Sequence, residues 1–255
     1  VTINSGGGDA LGSGAGGNAS TSIDLHTDGT GSTITINDGA MILDRGGDTA
    51  STTAAGGHGG RIRIEAEGNT SDITVGENAT ISVDGGDASA SSGIGGDAGG
   101  GAAAAAGGIT ITTGNAGAST GDDSDITISD DTQVTAIGGN SSSGAAGDGG
   151  TVTVQTIHNN ASILLSMGPR IVGTDNIGIN ANGGAAPTGS GGNGGAVNLL
   201  TGQVGGATGN DSDITINTPV TADGGAVSGA GTTGGNGGSI TVATRDDNAG
   251  ITSNS

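Results

Sequence analysis

Three short motifs recur in a fixed order along the chain, and this recurrence constrains the fold more than any other feature. The first motif is an aliphatic–polar–aliphatic segment that in three copies follows Ser-Asp. Its copies begin at Ile34, Ile73, Ile126, Ile163, Ile214 and Ile251. The intervals between these residues are 39, 53, 37, 51 and 37. A repeat of this length is typical of solenoids, propellers and similar arrays.

The second motif lies shortly before the first in every repeat. Its copies begin at Ile23, Ile62, Ile109, Val152, Val197 and Ile240. The interval to the next first-motif residue is 11 in four repeats and 17 in the other two, which indicates an enlarged loop in alternate repeats. The third motif ends in a Gly pair and opens a Gly-rich arc. Its copies begin at Ile81, Val134, Ile179 and Val220, with a looser copy at Ile42.

The composition excludes an ordinary globular core. The 255 residues contain 60 Gly and no Phe, Tyr, Trp or Cys, with a formal charge of −20. Such a composition alone would suit a disordered chain. The aliphatic residues are nevertheless confined to short alternating segments bounded by Gly, Asn and Asp, which is the pattern of strands and turns.

We therefore predict an all-β fold, a parallel β-solenoid (β-helix) of about six turns in a single domain, residues 1–255, open at both ends. Each turn should hold three strands of three to five residues, with the aliphatic residues stacked into a narrow core. The Gly-rich arcs have two interpretations, a floppy loop or a polyproline-II-like path that stacks on its copies. A β-propeller is the alternative fold, although propeller blades have four longer strands.

Several classes of function do not fit the residues. The chain has no apolar run long enough to span a membrane, and its acidic charge argues against nucleic acid. His26, His58 and His158 stand at unrelated phases of the repeat, so we expect neither a metal ligand set nor a catalytic site, and no enzyme activity. No cofactor is expected. Ca²⁺ is an alternative, since Asp72, Asp125 and Asp213 share one phase and Asp84 and Asp223 share another.

Two surface features are also periodic. The sequons at Asn69, Asn160 and Asn210 all lie just before a first-motif strand, so these three residues are candidate glycosylation sites. An outward threonine column is expected on the first-motif strands, interrupted by Leu164. Its members are Thr35, Thr74, Thr127, Thr215 and Thr252. Threonine columns also occur in ice-binding solenoids, which makes ice binding an alternative function.

The two ends of the sequence complement one another. Residues 251–255 match the first half of the segment 214–225, and residues 1–8 match its second half. We therefore expect the C-terminal half-turn to be completed by the N-terminus of the next copy, either in a homopolymer or in a longer repetitive chain. The junction would be formed by Val1, Thr2, Ile3, Asn4, Ile251, Thr252 and Ser253.

The run Gly-Gly-Asn-Gly-Gly-Ser-Ile-Thr-Val at 234–242, followed by short Thr-rich strands, resembles the β-solenoid repeats of microbial surface proteins. These include filamentous-haemagglutinin-like adhesins and Gly-rich giant repeat proteins. The resemblance implies an extracellular or cell-surface location and a structural or adhesive role, with glycans or neighbouring cell surfaces as partners. The predicted function is a filament subunit, with a segment of a long single-chain adhesin stalk as the alternative.

Overall fold

The computed structural model describes residues 1–19, 22–90, 92–98, 107–114, 124–157, 160–166, 178–202, 212–229, 232–245 and 248–254. These residues form eighteen short strands. The strands are β1 (Thr2–Asn4), β2 (Ile23–Asp28), β3 (Ile34–Ile36), β4 (Met41–Leu43), β5 (Arg61–Glu67), β6 (Ile73–Val75), β7 (Thr80–Ser82), β8 (Gly108–Thr113), β9 (Ile126–Ile128), β10 (Gln133–Thr135), β11 (Thr151–Thr156), β12 (Ile163–Leu165), β13 (Gly178–Asn180), β14 (Ala196–Thr201), β15 (Ile214–Ile216), β16 (Val220–Thr221), β17 (Ser239–Thr244) and β18 (Ile251–Ser253). Among the described residues there is no helix long and apolar enough to cross a membrane.

The strands form three parallel sheets of six, as predicted for a solenoid with three strands per turn. Sheet 1 has the order β1-β4-β7-β10-β13-β16, sheet 2 the order β2-β5-β8-β11-β14-β17, and sheet 3 the order β3-β6-β9-β12-β15-β18. The chain thus visits sheets 1, 2 and 3 in turn and returns to sheet 1 one rung further along the axis. The parallel β-solenoid is confirmed.

The core consists of aliphatic columns that run along the solenoid axis. Each strand pairs with the strand one rung away so that equivalent motif residues face each other. In sheet 2, for example, Ile62 pairs with Ile109, and Ile109 pairs with Val152. Side chains in a strand alternate between its two faces, so these residues all point inward and the middle rungs bury them completely. β-Branched side chains suit such a pleated and closely stacked surface.

The strands of sheet 2 are longer than the three to five residues predicted. They span six residues, and β5 spans seven. Every second side chain of these strands points inward. After the two inward aliphatic residues, the third inward residue can be a threonine, as with Thr113 and Thr201, and both are buried. The hydroxyl groups of these two residues donate hydrogen bonds to the carbonyls of Ser124 and Ser212 at 2.9 and 3.2 Å. A polar residue can therefore occupy an inward-facing position and lengthen the strand. An alternating pattern of hydrophobic residues in the sequence does not predict such a position.

The described parts of the Gly-rich arcs are ordered by backbone hydrogen bonds. Each arc has an outgoing and a returning arm, and the second Gly of each pair bonds to the neighbouring arm. Gly86 donates to Gly57, Gly96 to Gly86, and Gly139 to Gly96, at 2.7–2.9 Å. The same zigzag continues through Gly147, Gly184 and the following rungs. For the described parts of the arcs, the ordered interpretation is therefore the correct one.

Hydrogen bonding along an arm has a period of three residues. Gly46 and Thr49 both donate to the next rung, to the carbonyls of Asp84 and Asp87. The residue that follows each of these donates in the opposite direction, as Gly47 does to Gly17. An extended helix with three residues per turn presents its backbone in this way. The arcs therefore form a second hydrogen-bonded lattice beside the three sheets.

This lattice has no space for side chains at the Gly pairs. A Cβ atom on Gly139 would lie less than 3 Å from the carbonyl group of Gly86, which is backbone that cannot rotate away. By contrast, a Cβ atom on the exposed Gly12 would have no heavy atom within 4 Å. Glycine is required at the first position because two backbones approach each other there, and not for flexibility.

We predict that Gly139→Ala lowers the free energy of unfolding by about 1–3 kcal/mol or more, because the methyl group forces two arms apart. Gly12→Ala, the matched control, should leave it within about 0.5 kcal/mol. Urea unfolding followed by circular dichroism measures both. Equal effects of the two substitutions would contradict a close-packed arc.

The two neighbouring residues Ile163 and Leu164 test the inward and outward faces of sheet 3. Ile163 is 1% exposed and Leu164 is 36% exposed. Ile163→Ala should destabilise the protein by about 2–5 kcal/mol, because it leaves a cavity in an otherwise continuous column. Leu164→Ala should cost less than about 1 kcal/mol, since half-exposed side chains lose little on truncation. Urea midpoints of the two variants that coincide would show that the core assignment is wrong.

Candidate functional site

The predicted junction residues lie on the two end faces of the solenoid. Thr2–Asn4 form the edge strand of sheet 1 at one end, and Ile251–Ser253 form the edge strand of sheet 3 at the other. The structure therefore separates the two groups by the full stack of rungs and does not bring them together within one molecule. Both groups are exposed, with Val1 87% and Ile251 51% accessible.

Each end face exposes one strand edge from every sheet. The strands are β1, β2 and β3 at the first end and β16, β17 and β18 at the second. Their aliphatic side chains belong to the core columns but lack a neighbouring rung on one side. At the second end this exposes the column, since Ile240 is 49% exposed whereas Val197 and Val152 in the same column are fully buried. At the first end Ile23 and Ile36 remain buried, at 8% and 5% exposure, so the core is exposed mainly at the second end face.

Acidic and amide side chains, together with His58, form hydrogen-bonded columns along the arms of the arcs, here called the arc columns. In one column the Oδ1 atom of Asp9 accepts the backbone N–H of Asp48 at 2.9 Å, and Asp48 does the same for Asp87 at 2.8 Å. Asp87 continues the column to Asn140 at 2.7 Å. A second column has the order Asn18, His58, Asp97, Asp148, Asn193 and Asn236. These side chains satisfy N–H groups that have no carbonyl partner in the adjacent rung.

The prediction that Asp72, Asp125 and Asp213 occupy equivalent positions in their repeats, and Asp84 and Asp223 another equivalent position, is confirmed. Asp72 accepts the N–H of Asp125 at 2.9 Å, and Asp213 accepts that of Gly250 at 2.7 Å. These residues form one column, and Asn182 and Asp223 continue another. A carboxylate in such a column has one oxygen committed to the backbone. Their periodicity therefore has a structural cause, which the sequence pattern alone could not distinguish from ion binding.

A polar groove of about 460 Å³ runs along the corner between sheet 1 and the arcs, across the first four rungs. Arg45 and Asp84 form an ion pair in it at 3.3 Å. The Oδ2 atom of Asp84 also accepts hydrogen bonds from Ser82 at 2.7 Å and Thr135 at 3.0 Å, and its Oδ1 atom accepts the N–H of Ile137 at 2.8 Å. Both oxygens of this carboxylate are engaged, so its role in the groove is to join adjacent rungs.

The predicted glycosylation sites and the predicted threonine column are the remaining surface features. Asn69 is half-buried and Asn160 is exposed, and both occupy turns before a sheet 3 strand, as expected. Asn210 and His158 lie outside the described residues. The outward positions of sheet 3 form a single column of Thr35, Thr74, Thr127, Leu164, Thr215 and Thr252. The three-residue strands of this sheet have only their middle residue outward, so a paired threonine grid does not arise on them.

Comparison with protein-family models, with curated proteins and with solved structures found no match to this chain. The end faces and the side-chain columns are the features of the molecule that bear on its function.

Substitutions of Asp87 test the stabilising role of the arc columns. Asp87→Ala removes the acceptor of the Asn140 N–H and should lower the free energy of unfolding by about 1–2 kcal/mol. Asp87→Asn keeps the acceptor and should be neutral or stabilising, because it also removes repulsion between stacked carboxylates. Thermal unfolding of the two variants is the measurement. If the Asn variant were as unstable as the Ala variant, the charge and not the hydrogen bond would be the stabilising feature.

Proposed function

We propose that this protein is a structural subunit of an extracellular filament in which copies stack head to tail. The supporting observation is that each end face exposes one strand edge of all three sheets. Exposed edges pair readily with further strands, and solenoid repeats gain stability by stacking on a neighbouring repeat. A contact that joins one end to the opposite end does not close on itself and extends without limit.

The registers of the three sheets make the two ends complementary. Because every column keeps its register from rung to rung, a second copy placed one rung further would put Ile3 on Val220, Ile23 on Ile240 and Ile34 on Ile251. Aliphatic residues meet aliphatic residues in all three sheets. The side chains that are exposed in the single molecule, such as Ile240 and Ile251, would each contribute on the order of 1 kcal/mol from burial, together with the backbone hydrogen bonds of a full rung.

The order of sheets also continues through the proposed junction. The last strand, β18, belongs to sheet 3, and the first strand, β1, belongs to sheet 1. Four residues connect β3 to β4 and β6 to β7. In the stack, residues 254 and 255 of one copy and residue 1 of the next would span the corresponding gap with three residues, one fewer than in these two connections. The half-turn at 251–255 would thus be completed by residues 1–8 of the neighbouring copy.

The lateral surface suits an extracellular structure that remains dispersed from its neighbours. The formal charge of −20 gives side-by-side repulsion between filaments. We place the protein among the microbial surface solenoids that its repeats resemble, at the cell surface and with glycans or neighbouring cells as contacts. The same charge opposes end-to-end contact at low ionic strength, so we expect assembly to increase with added salt.

Negative-stain microscopy and sedimentation velocity of the full chain test the proposal, with Ile240→Asp as the disruptive variant. The substitution places a charge in the core cross-section of an end face and should abolish fibres. Leu164→Asp is the matched control, since Leu164 is an exposed aliphatic residue on a lateral strand. The control should assemble as the wild type does.

Wild-type protein that remains as short monomeric rods at high concentration and in added salt would overturn the filament proposal. That outcome would favour the single-chain adhesin stalk, in which the same end faces are covered by further turns of one polypeptide. Fibres that persist in Ile240→Asp would show that assembly uses another surface.

A further inference from the structure

One cluster of side chains departs from the repeat, on the outward face of sheet 2 at the first two rungs. His26 and Asp28 lie on β2 and pair in register with Glu65 and Glu67 of β5. Alternation along the strands places all four side chains on the same face. A ligand atom from each of His26, Asp28 and Glu67 lies within 4.8 Å of the other two.

The later rungs show that the ladder does not need charged residues here. The column of His26 and Glu65 continues with Thr112, Gln155, Leu200 and Ala243. These are neutral residues of four different types, and the strands pair equally well through them. The charged cluster is therefore a local addition and not a requirement of the fold.

The imidazole of His26 is held between two carboxylates. Its Nε2 atom shares a hydrogen bond with Asp28 Oδ1 at 2.9 Å, and its Nδ1 atom lies 3.7 Å from Glu65 Oε2. Glu65 is only 8% exposed, and this Oε2 atom is buried and pairs ionically with Nη2 of Arg63. Arg63 donates from Nε to the other oxygen, Oε1, at 2.5 Å.

This arrangement orients the ring from its buried side. Arg63 holds Glu65, and Glu65 faces Nδ1, which leaves Nε2 directed towards Asp28 and Glu67 on the open side. A carboxylate that accepts the second ring N–H is the usual support of a metal-bound histidine. Glu65 faces Nδ1 at 3.7 Å, which is beyond hydrogen-bond distance, so the ring would have to move towards Glu65 to receive this support.

We propose that His26, Asp28 and Glu67 bind one Zn²⁺ ion, with Glu65 as a positioning residue. Zn²⁺ accepts imidazole nitrogen and carboxylate oxygen together, and two carboxylates balance its charge. Ca²⁺ prefers six to eight oxygen ligands, so a site with an imidazole selects against it. Binding would displace the hydrogen shared by Nε2 and Asp28, and these two atoms, now 2.9 Å apart, would have to separate slightly to reach tetrahedral ligand spacing. This site does not depend on filament formation.

Isothermal titration calorimetry of the full chain with zinc chloride tests the site. The wild type should show saturable binding, and His26→Ala should weaken it at least tenfold. The matched control is His58→Asn. His58 accepts the N–H of Asp97 through Nδ1 at 3.1 Å, and Asn occupies the same column at positions 18 and 193, so the arc is preserved. This control should keep the wild-type affinity within about twofold.

A second variant separates positioning from ligation. Glu65→Gln leaves all three ligands in place and should weaken zinc binding by about 10- to 100-fold, the usual effect of removing a supporting carboxylate. Circular dichroism verifies that each variant is folded. Three results would overturn the proposal: no saturable heat for the wild type, equal zinc affinity in the wild type and His26→Ala, or equal affinity of the wild type for calcium chloride and zinc chloride.

Discussion

The whole structure depends on one constraint, the parallel pairing of each strand with its equivalent one rung away. The pairing keeps Ile62, Ile109 and Val152 at the same height in successive rungs, so that the core becomes a set of columns. A column favours aliphatic side chains of similar size that stack on one another, which explains the dominance of Ile and Val. Loops between the strands can differ in length without disturbing this register, as the unequal repeat intervals show.

The Gly-rich arcs add stability to a chain whose core contains no aromatic side chains. The three sheets enclose a narrow core that aliphatic side chains fill completely in the middle rungs. The arcs add cohesion of a different kind, since their zigzag of Gly-to-Gly hydrogen bonds connects both arms of every described rung. Backbone contacts here contribute the cohesion that large side chains provide in an ordinary globular domain.

Much of the fold can be predicted from the sequence because the same strand pattern recurs in every repeat. Each three-residue segment such as Ile73–Val75 is ambiguous alone, but six aligned copies identify the strands, their faces and their order. The sequence did not predict the inward Thr113, because a buried hydroxyl depends on a carbonyl supplied by the next segment. Nor did it predict the cluster at His26 and Glu67, residues that are far apart in sequence and become neighbours through rung pairing.

The described hydrogen bonds of the arc columns all point the same way along the solenoid axis. In the Asp9 and Asn18 columns the side chain of the earlier rung accepts the N–H of the later rung, and no described pair in either column is reversed. A completed rung therefore offers acceptors to whatever part of the chain follows it. Each rung thus presents side-chain acceptors to the rung that follows it and backbone donors to the rung that precedes it. Within the described part of the chain, the two ends of the Asn18 column are therefore chemically different, since one end has an unused N–H donor and the other has an unused side-chain acceptor.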